Sequence, residues 1–214
     1  TMAKLGLGYD QLREKYPRLI YAACSGFGQT GPYANRGAYD MIIQAMGGIL
    51  SITGEPDQPP VRVGTSIGDI TSALFTTIGV LSALHHRQKT GKGQLVDVGM
   101  LDCQVSILEN ALVRYFSSGE VPKPLGRRHP AITPFEVFES KDGYVVIAIG
   151  NDQLWQRFCQ HVDRSDLVDD PKFKNNSSRT NNHSELRAIM NKVLSQKDTA
   201  RWVEELAKIG VPCG

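Results

Sequence analysis

Three aspartates and one glycine-rich turn carry the first chemical signal in this 214-residue chain. The run VDVGMLDCQVSILEN sets Asp102 just after a short apolar strand and in the first turn of a helix. There, free amides and the helix dipole favour a carboxylate over its acid, leaving an ionised and nucleophilic group. An aspartate in a first turn is also an ordinary helix cap, and both readings stand at this point. Asp97 is its rival, but alternation puts it on the strand as a structural partner. Asp69 follows Gly68 at the start of a long helix, where a cap and a functional acid are equally open. The loop from Gly26 to Gly31, with Gly28 and Gln29 at its centre, is half glycine and has free backbone amides. It can approach a phosphate or a developing oxyanion, or simply turn the chain out of a strand. Its spacing is neither that of a Walker loop nor that of a dinucleotide fingerprint.

Arg127, Arg128 and His129 stand together in a Pro-bounded stretch, where two guanidinium groups beside an imidazole could grip a dicarboxylate or a phosphate. A solvated charge cluster is the bland alternative. Arg36 is a weaker candidate for the same work. Tyr39 could offer its hydroxyl to a substrate, although an aromatic on an amphipathic helix is commonly core. His85, His86, His161 and His183 are assigned no chemistry, and no cysteine or histidine spacing suggests a metal.

The elements that must position these residues alternate between strand and helix. Residues 18–27 read as a buried strand feeding the glycine loop, 39–52 as a helix, and 66–88 as a longer helix rich in small residues. LVDVGM is a short strand and 101–116 another helix, so the first part is an α/β domain. The boundaries expected are 1–119 for the domain with Asp102, 120–139 for a linker or active-site loop, and 140–214 for a small α+β domain. In the last, YVVIAI is a strand, a helix follows with Asn151 or Asp152 as its cap, and two more helices occupy 184–194 and 199–209. The polar stretch KFKNNSSRTNNH, which precedes the first of these two, reads as mobile.

Composition narrows the partners. At 41% hydrophobic, 21% charged and net +2, the chain has the balance of a soluble globular protein, with no basic strip to track nucleic acid. No uninterrupted apolar run approaches the roughly 20 residues of a membrane span. Cys24, Cys103, Cys159 and Cys213 are scattered, which suits free thiols in a reducing compartment.

Three segments together carry a family resemblance. IYAACSGFGQTGPYANRGAYDMIIQAMGGILSITGEPDQPP, GDITSALFTTIGVLSALHHRQKTGKGQLVDVGMLD, and GRRHPAITPFEVFESKDGYVVIAIGND continuing to GVPCG resemble the class III coenzyme A transferases. That family includes formyl-CoA, carnitine and succinyl-CoA:dicarboxylate CoA-transferases and the α-methylacyl-CoA racemases. The resemblance implies a Rossmann-like large α/β domain followed by a smaller α+β domain, an interlocked homodimer, and CoA esters as substrates with no permanently bound cofactor. It also implies that Asp102 attacks the acyl-CoA thioester, passing through a mixed anhydride and an aspartyl-CoA thioester without ATP. GRRHPAITPF is most similar to the members that use succinyl-CoA with glutarate or related dicarboxylates, which makes Arg127, Arg128 and His129 anion-binding candidates. The racemases carry a histidine where this chain has Tyr39, share an acid matching Asp69, and lack the aspartate matching Asp102. The resemblance therefore implies transfer, with racemisation and a catalytically silent CoA-ester binding or dimerisation module as the alternatives. It further implies that this chain is a central piece of a longer enzyme, in a mitochondrial matrix or a bacterial cytoplasm.

Overall fold

The computed structural model describes residues 2–214, which separate into a first unit ending at Pro124 and a second running Leu125–Gly214. The first unit starts with a 3-10 turn, Met2–Leu5, and α1, Tyr9–Lys15. There follow β1 (Tyr21–Ser25), α2 (Asp40–Met46), α3 (Ile49–Ile52), α4 (Ile67–Thr90), β2 (Leu95–Gly99), α5 (Met100–Ser106) and α6 (Asn110–Ser118). β1 and β2 run parallel, in register from Tyr21 opposite Leu95 to Ser25 opposite Gly99. Parallel strands need a long crossover, which α2, α3 and α4 supply.

Both helices expected over 39–52 and 101–116 are divided. Gly48 takes φ 88° between α2 and α3, and Glu109 takes φ 41° at the start of α6, so hydrophobic periodicity runs across a break in the backbone. α4 is 24 residues long and, by length and composition, apolar enough to cross a bilayer even though serine, threonine and glycine interrupt it. One face packs against β1, β2, α2 and α5, burying Gly68, Thr71, Ser72 and Ala83. Ile70, Leu74, Ile78 and Leu81 form an exposed stripe along it at helical spacing.

The second unit is built on an antiparallel hairpin of β3 (Phe135–Glu139) and β4 (Tyr144–Ala148). α7 (Asp152–His161), α8 (Asp166–Asp169), α9 (Asn176–Asn181), α10 (His183–Leu194) and α11 (Thr199–Lys208) complete it. The core joins Phe138, Val145 and Ile147 of the hairpin to Trp155 and Phe158 of α7, Leu186 and Met190 of α10, and Trp202 and Leu206 of α11. Burying each such side chain is worth about 1.5–3 kcal/mol. The Asn151 side chain accepts the Leu154 amide and caps α7, which decides between Asn151 and Asp152.

Two expectations change here. Residues 120–139 do not form a uniform linker: the division falls after Pro124, and β3 lies inside that stretch. The polar stretch expected to be mobile is ordered by α9, where Arg179 is fully buried. Its guanidinium donates to the carbonyls of Thr133 and Phe173 and to Asp152, and stacks over Trp155. Polar anchoring through Arg179 and the buried Phe173 ring together hold this segment.

Candidate active site

Asp102 stands exposed in the first turn of α5, three residues beyond the end of β2. The backbone around it is bare. A Cβ built on Gly99 would fall 2.7 Å from Asp102 Oδ2 and 3.1 Å from the Gly28 nitrogen, so only glycine lets carboxylate and loop approach this closely. The glycine loop is tied to the same place, because the Leu101 amide donates to the Gly26 carbonyl at 3.1 Å. Gly28 has φ 81°, a left-handed conformation that a residue with a Cβ rarely adopts. One residue later the Gln29 amide donates to both carboxylate oxygens of Asp97, at 2.9 and 3.2 Å. Asp97 is thus the structural partner that alternation suggested, and its partner is the loop. Beneath them the buried Cys103 thiol is pushed up by burial first, then by Cys24 and by the Asp102 carboxylate, which keeps it protonated.

Asp40 was passed over in the sequence and has a defined position. Its Oδ1 accepts the Gly68 amide at 2.9 Å and its Oδ2 accepts Gln44 Nε2 at 2.8 Å. Asp40 therefore satisfies a free amide at the start of α4, which corrects the reading of Asp69 as that helix's cap. Asp69 lies inside the first turn with its side chain exposed. Such a cap spans 28 residues and gives no local signal.

Tyr39 is 83% exposed at the head of α2, so the core reading of this aromatic does not hold. An apolar recess of about 270 Å³ in this unit is lined by residues including Ile52, Leu108, Leu112 and Val121, without Tyr39 or any other candidate residue. Arg36 lies over Tyr33 at 4.4 Å and Phe27 at 5.8 Å, and those two rings pack edge to face. Its charge is therefore held against the aromatic that follows Gly26 in the loop.

Arg127, Arg128 and His129 belong to the second unit, where they extend its hairpin. The Val137 amide donates to the Arg127 carbonyl, the His129 amide donates to the Phe135 carbonyl, and Arg128 bridges Glu136. Arg127 is exposed, whereas Arg128 and His129 are half-buried. Arg127 lies over the Tyr144 ring at 5.2 Å. His129 Nδ1 accepts the amides of Ala131 and Ile132, both at 3.1 Å, while its ring stacks on Phe135. That leaves Nε2 to carry the proton in the neutral ring.

With this geometry in place, the relatives are informative. CoA-transferase family III matches residues 1–214. The acetyl-CoA:oxalate CoA-transferase of Acetobacter aceti is 44% identical, over 100% of this chain and 55% of that protein. The succinate–glutarate CoA-transferase of Agrobacterium fabrum is 39% identical, over 94% of this chain and 49% of that protein. The crystal structure of a CAIB/BAIF family protein from Brucella suis superposes with a TM-score of 0.85 at 41% identity, covering 100% of this chain and 56% of that one. The chain spans about half the length of the curated relatives it matches. With the match running through its whole length, the chain belongs to CoA-transferase family III.

Proposed function

We propose that the protein moves coenzyme A from an acyl-CoA donor to a carboxylic acid, with Asp102 as the covalent nucleophile. The observation that carries this reading is the solvent-open Asp102 carboxylate at the end of β2, converging with the Gly28 amide on the bare backbone of Gly99. An Asp102 oxygen attacks the thioester carbonyl carbon, the C–S bond breaks, and CoA leaves as the thiolate from an aspartyl mixed anhydride. The thiolate then attacks the Asp102 carbonyl carbon, releasing the donor acid and leaving an aspartyl-CoA thioester. The acceptor carboxylate attacks that thioester and forms a second anhydride. The freed thiolate attacks its acceptor-side carbonyl, giving the new acyl-CoA and restoring Asp102. Each activated species is of similar energy to the next, so no ATP enters.

For the donor we take succinyl-CoA, and for the acceptor a dicarboxylate such as glutarate. Support comes from the two relatives above, whose names specify oxalate and succinate with glutarate, all dicarboxylates. The exposed Arg127 guanidinium is suited to donate hydrogen bonds to a carboxylate. The working enzyme is a homodimer in this reading, and its four free thiols suit a mitochondrial matrix or a bacterial cytoplasm.

The test is intact-mass analysis of the full chain after succinyl-CoA and hydroxylamine, which converts an activated aspartyl group to a hydroxamate. The expected adduct maps to the peptide holding Asp102 and is lost in Asp102→Ala. A folded, CoA-binding enzyme that gives no adduct overturns the nucleophile, and α-proton exchange in deuterated water then tests racemisation.

A further inference from the structure

We infer that Asp97 is a positioning residue for the reaction, acting through the glycine loop; the inference rests on Asp102 being the nucleophile. Asp97 lies on β2, paired with Ala23 of β1, and Asp102 follows five residues later in α5. Between them is Gly99, where a Cβ would lie 2.7 Å from Asp102 Oδ2 and 3.1 Å from the Gly28 nitrogen, so both atoms border the space its missing side chain leaves. The loop that carries Gly28 is held at two points. On one side the Gly26 carbonyl accepts the Leu101 amide from α5. On the other, the Asp97 carboxylate accepts the Gln29 amide with both oxygens. A Cβ built on Gly28 would meet those same two oxygens at 3.6 and 3.9 Å, so the carboxylate lies against the loop backbone at Gly28 as well as at Gln29.

The consequence is chemical. When an Asp102 oxygen bonds to the thioester carbon, the carbonyl electron pair moves onto the acyl oxygen, and it returns as the C–S bond breaks. A preorganised amide near the attacking group stabilises that transient oxyanion without having to move. Asp97 supplies the preorganisation: it takes up the neighbouring Gln29 amide and fixes the peptide that places the Gly28 nitrogen beside the nucleophile. Gln29 serves the loop through its backbone, and its side chain turns back to Ser25 Oγ at 3.3 Å.

The experiment uses the full chain with succinyl-CoA as donor and follows three readouts: the single-turnover rate of adduct formation at Asp102, the Kd of the donor, and hydrogen exchange of the Gln29 amide. Asp97→Ala is expected to slow adduct formation about 10²-fold with the donor Kd unchanged. Asp97→Asn keeps an acceptor oxygen for the Gln29 amide and is expected to restore most of the rate. A native Gln29 amide that exchanges as fast as a free peptide overturns the inference even if the alanine variant fails to fold. So does an adduct rate in Asp97→Ala equal to that of the native enzyme, or an asparagine variant as slow as alanine with its fold intact. Absence of any adduct in the native enzyme instead removes the nucleophile itself, a different failure from an adduct that forms at the native rate without Asp97.

Discussion

The two units divide the work of folding and of chemistry unequally. Among the described residues the second unit buries fifteen hydrophobic side chains in one cluster, whereas the longer first unit buries six. Of the large hydrophobic residues left exposed, all but Tyr144 and Val146 lie in the first unit. Its sheet has two strands and hence two unpaired edges, and its longest helix shows an apolar stripe to solvent. Asp102 and the glycine loop belong to this under-covered unit. The second unit is a finished core with charge networks around it. The contrast teaches that a carboxylate and a glycine loop can be held in place locally while the unit bearing them still presents apolar surface of the kind that marks an interface.

The contrast has measurable edges. Asp102→Ala is expected to lower turnover by at least about 10³-fold while leaving the thermal unfolding of the chain within a degree or two, because the side chain is exposed and makes no packing contribution. Phe158→Ala in the second unit should do the reverse, costing about 3–5 kcal/mol in denaturant unfolding, since that ring is fully buried. Gly99→Ala sharpens the picture of the nucleophile: its Cβ would meet Asp102 Oδ2 at 2.7 Å, and we expect about a 10²-fold loss of turnover without loss of CoA binding. A variant with native turnover would break the proposed convergence.

Two smaller effects probe the second core and the bare helix. Glu205 accepts from Lys197 Nζ at 2.6 Å and Arg201 Nε at 2.8 Å and contacts His161 Nε2 at 3.0 Å. The bond from Lys197, then that from Arg201, hold its carboxyl at about 2 instead of 4.5. A lowered folded value means stability present above the unfolded pKa and lost as the pH falls from about 4.5 towards 2. Acid titration of the unfolding midpoint should show that loss, and Glu205→Gln should flatten it. Leu74→Ala, at a position 59% exposed on α4, should change the stability of these 214 residues by no more than about 0.5 kcal/mol. A cost of about 2 kcal/mol would mean that something covers the stripe, and the contrast between the units would narrow.

The apolar blocks were legible in the sequence because burial writes them directly: both strands of the first unit, the long helix α4 and strand β4 follow from composition and period. β3 was not, because Glu136 faces inward, where His183 Nε2 meets its Oε1 at 2.6 Å, and a buried acid breaks the expected alternation. α9 escaped for the same reason, since Arg179 is buried by hydrogen bonds. At the site, the position of Asp102 after a strand could be read locally, but its closeness to Gly28 depends on the parallel pairing of segments some seventy residues apart. What Arg127 and His129 touch could not be read from their adjacency, because their ring partners Tyr144 and Phe135 come from the hairpin that follows.

Asp40 also bears on the order in which the chain assembles. α7 carries its own starting signal in Asn151, one residue ahead of its first turn, and can nucleate from local chain. α4 receives its capping carboxylate from α2, so closing its first turn requires a loop of 28 residues to have come home. The start of α4 is therefore a readout of assembly and not a cause of it. Because α4 packs directly on α5, fraying at Gly68 would report that the scaffold beneath Asp102 has come apart before any strand had separated.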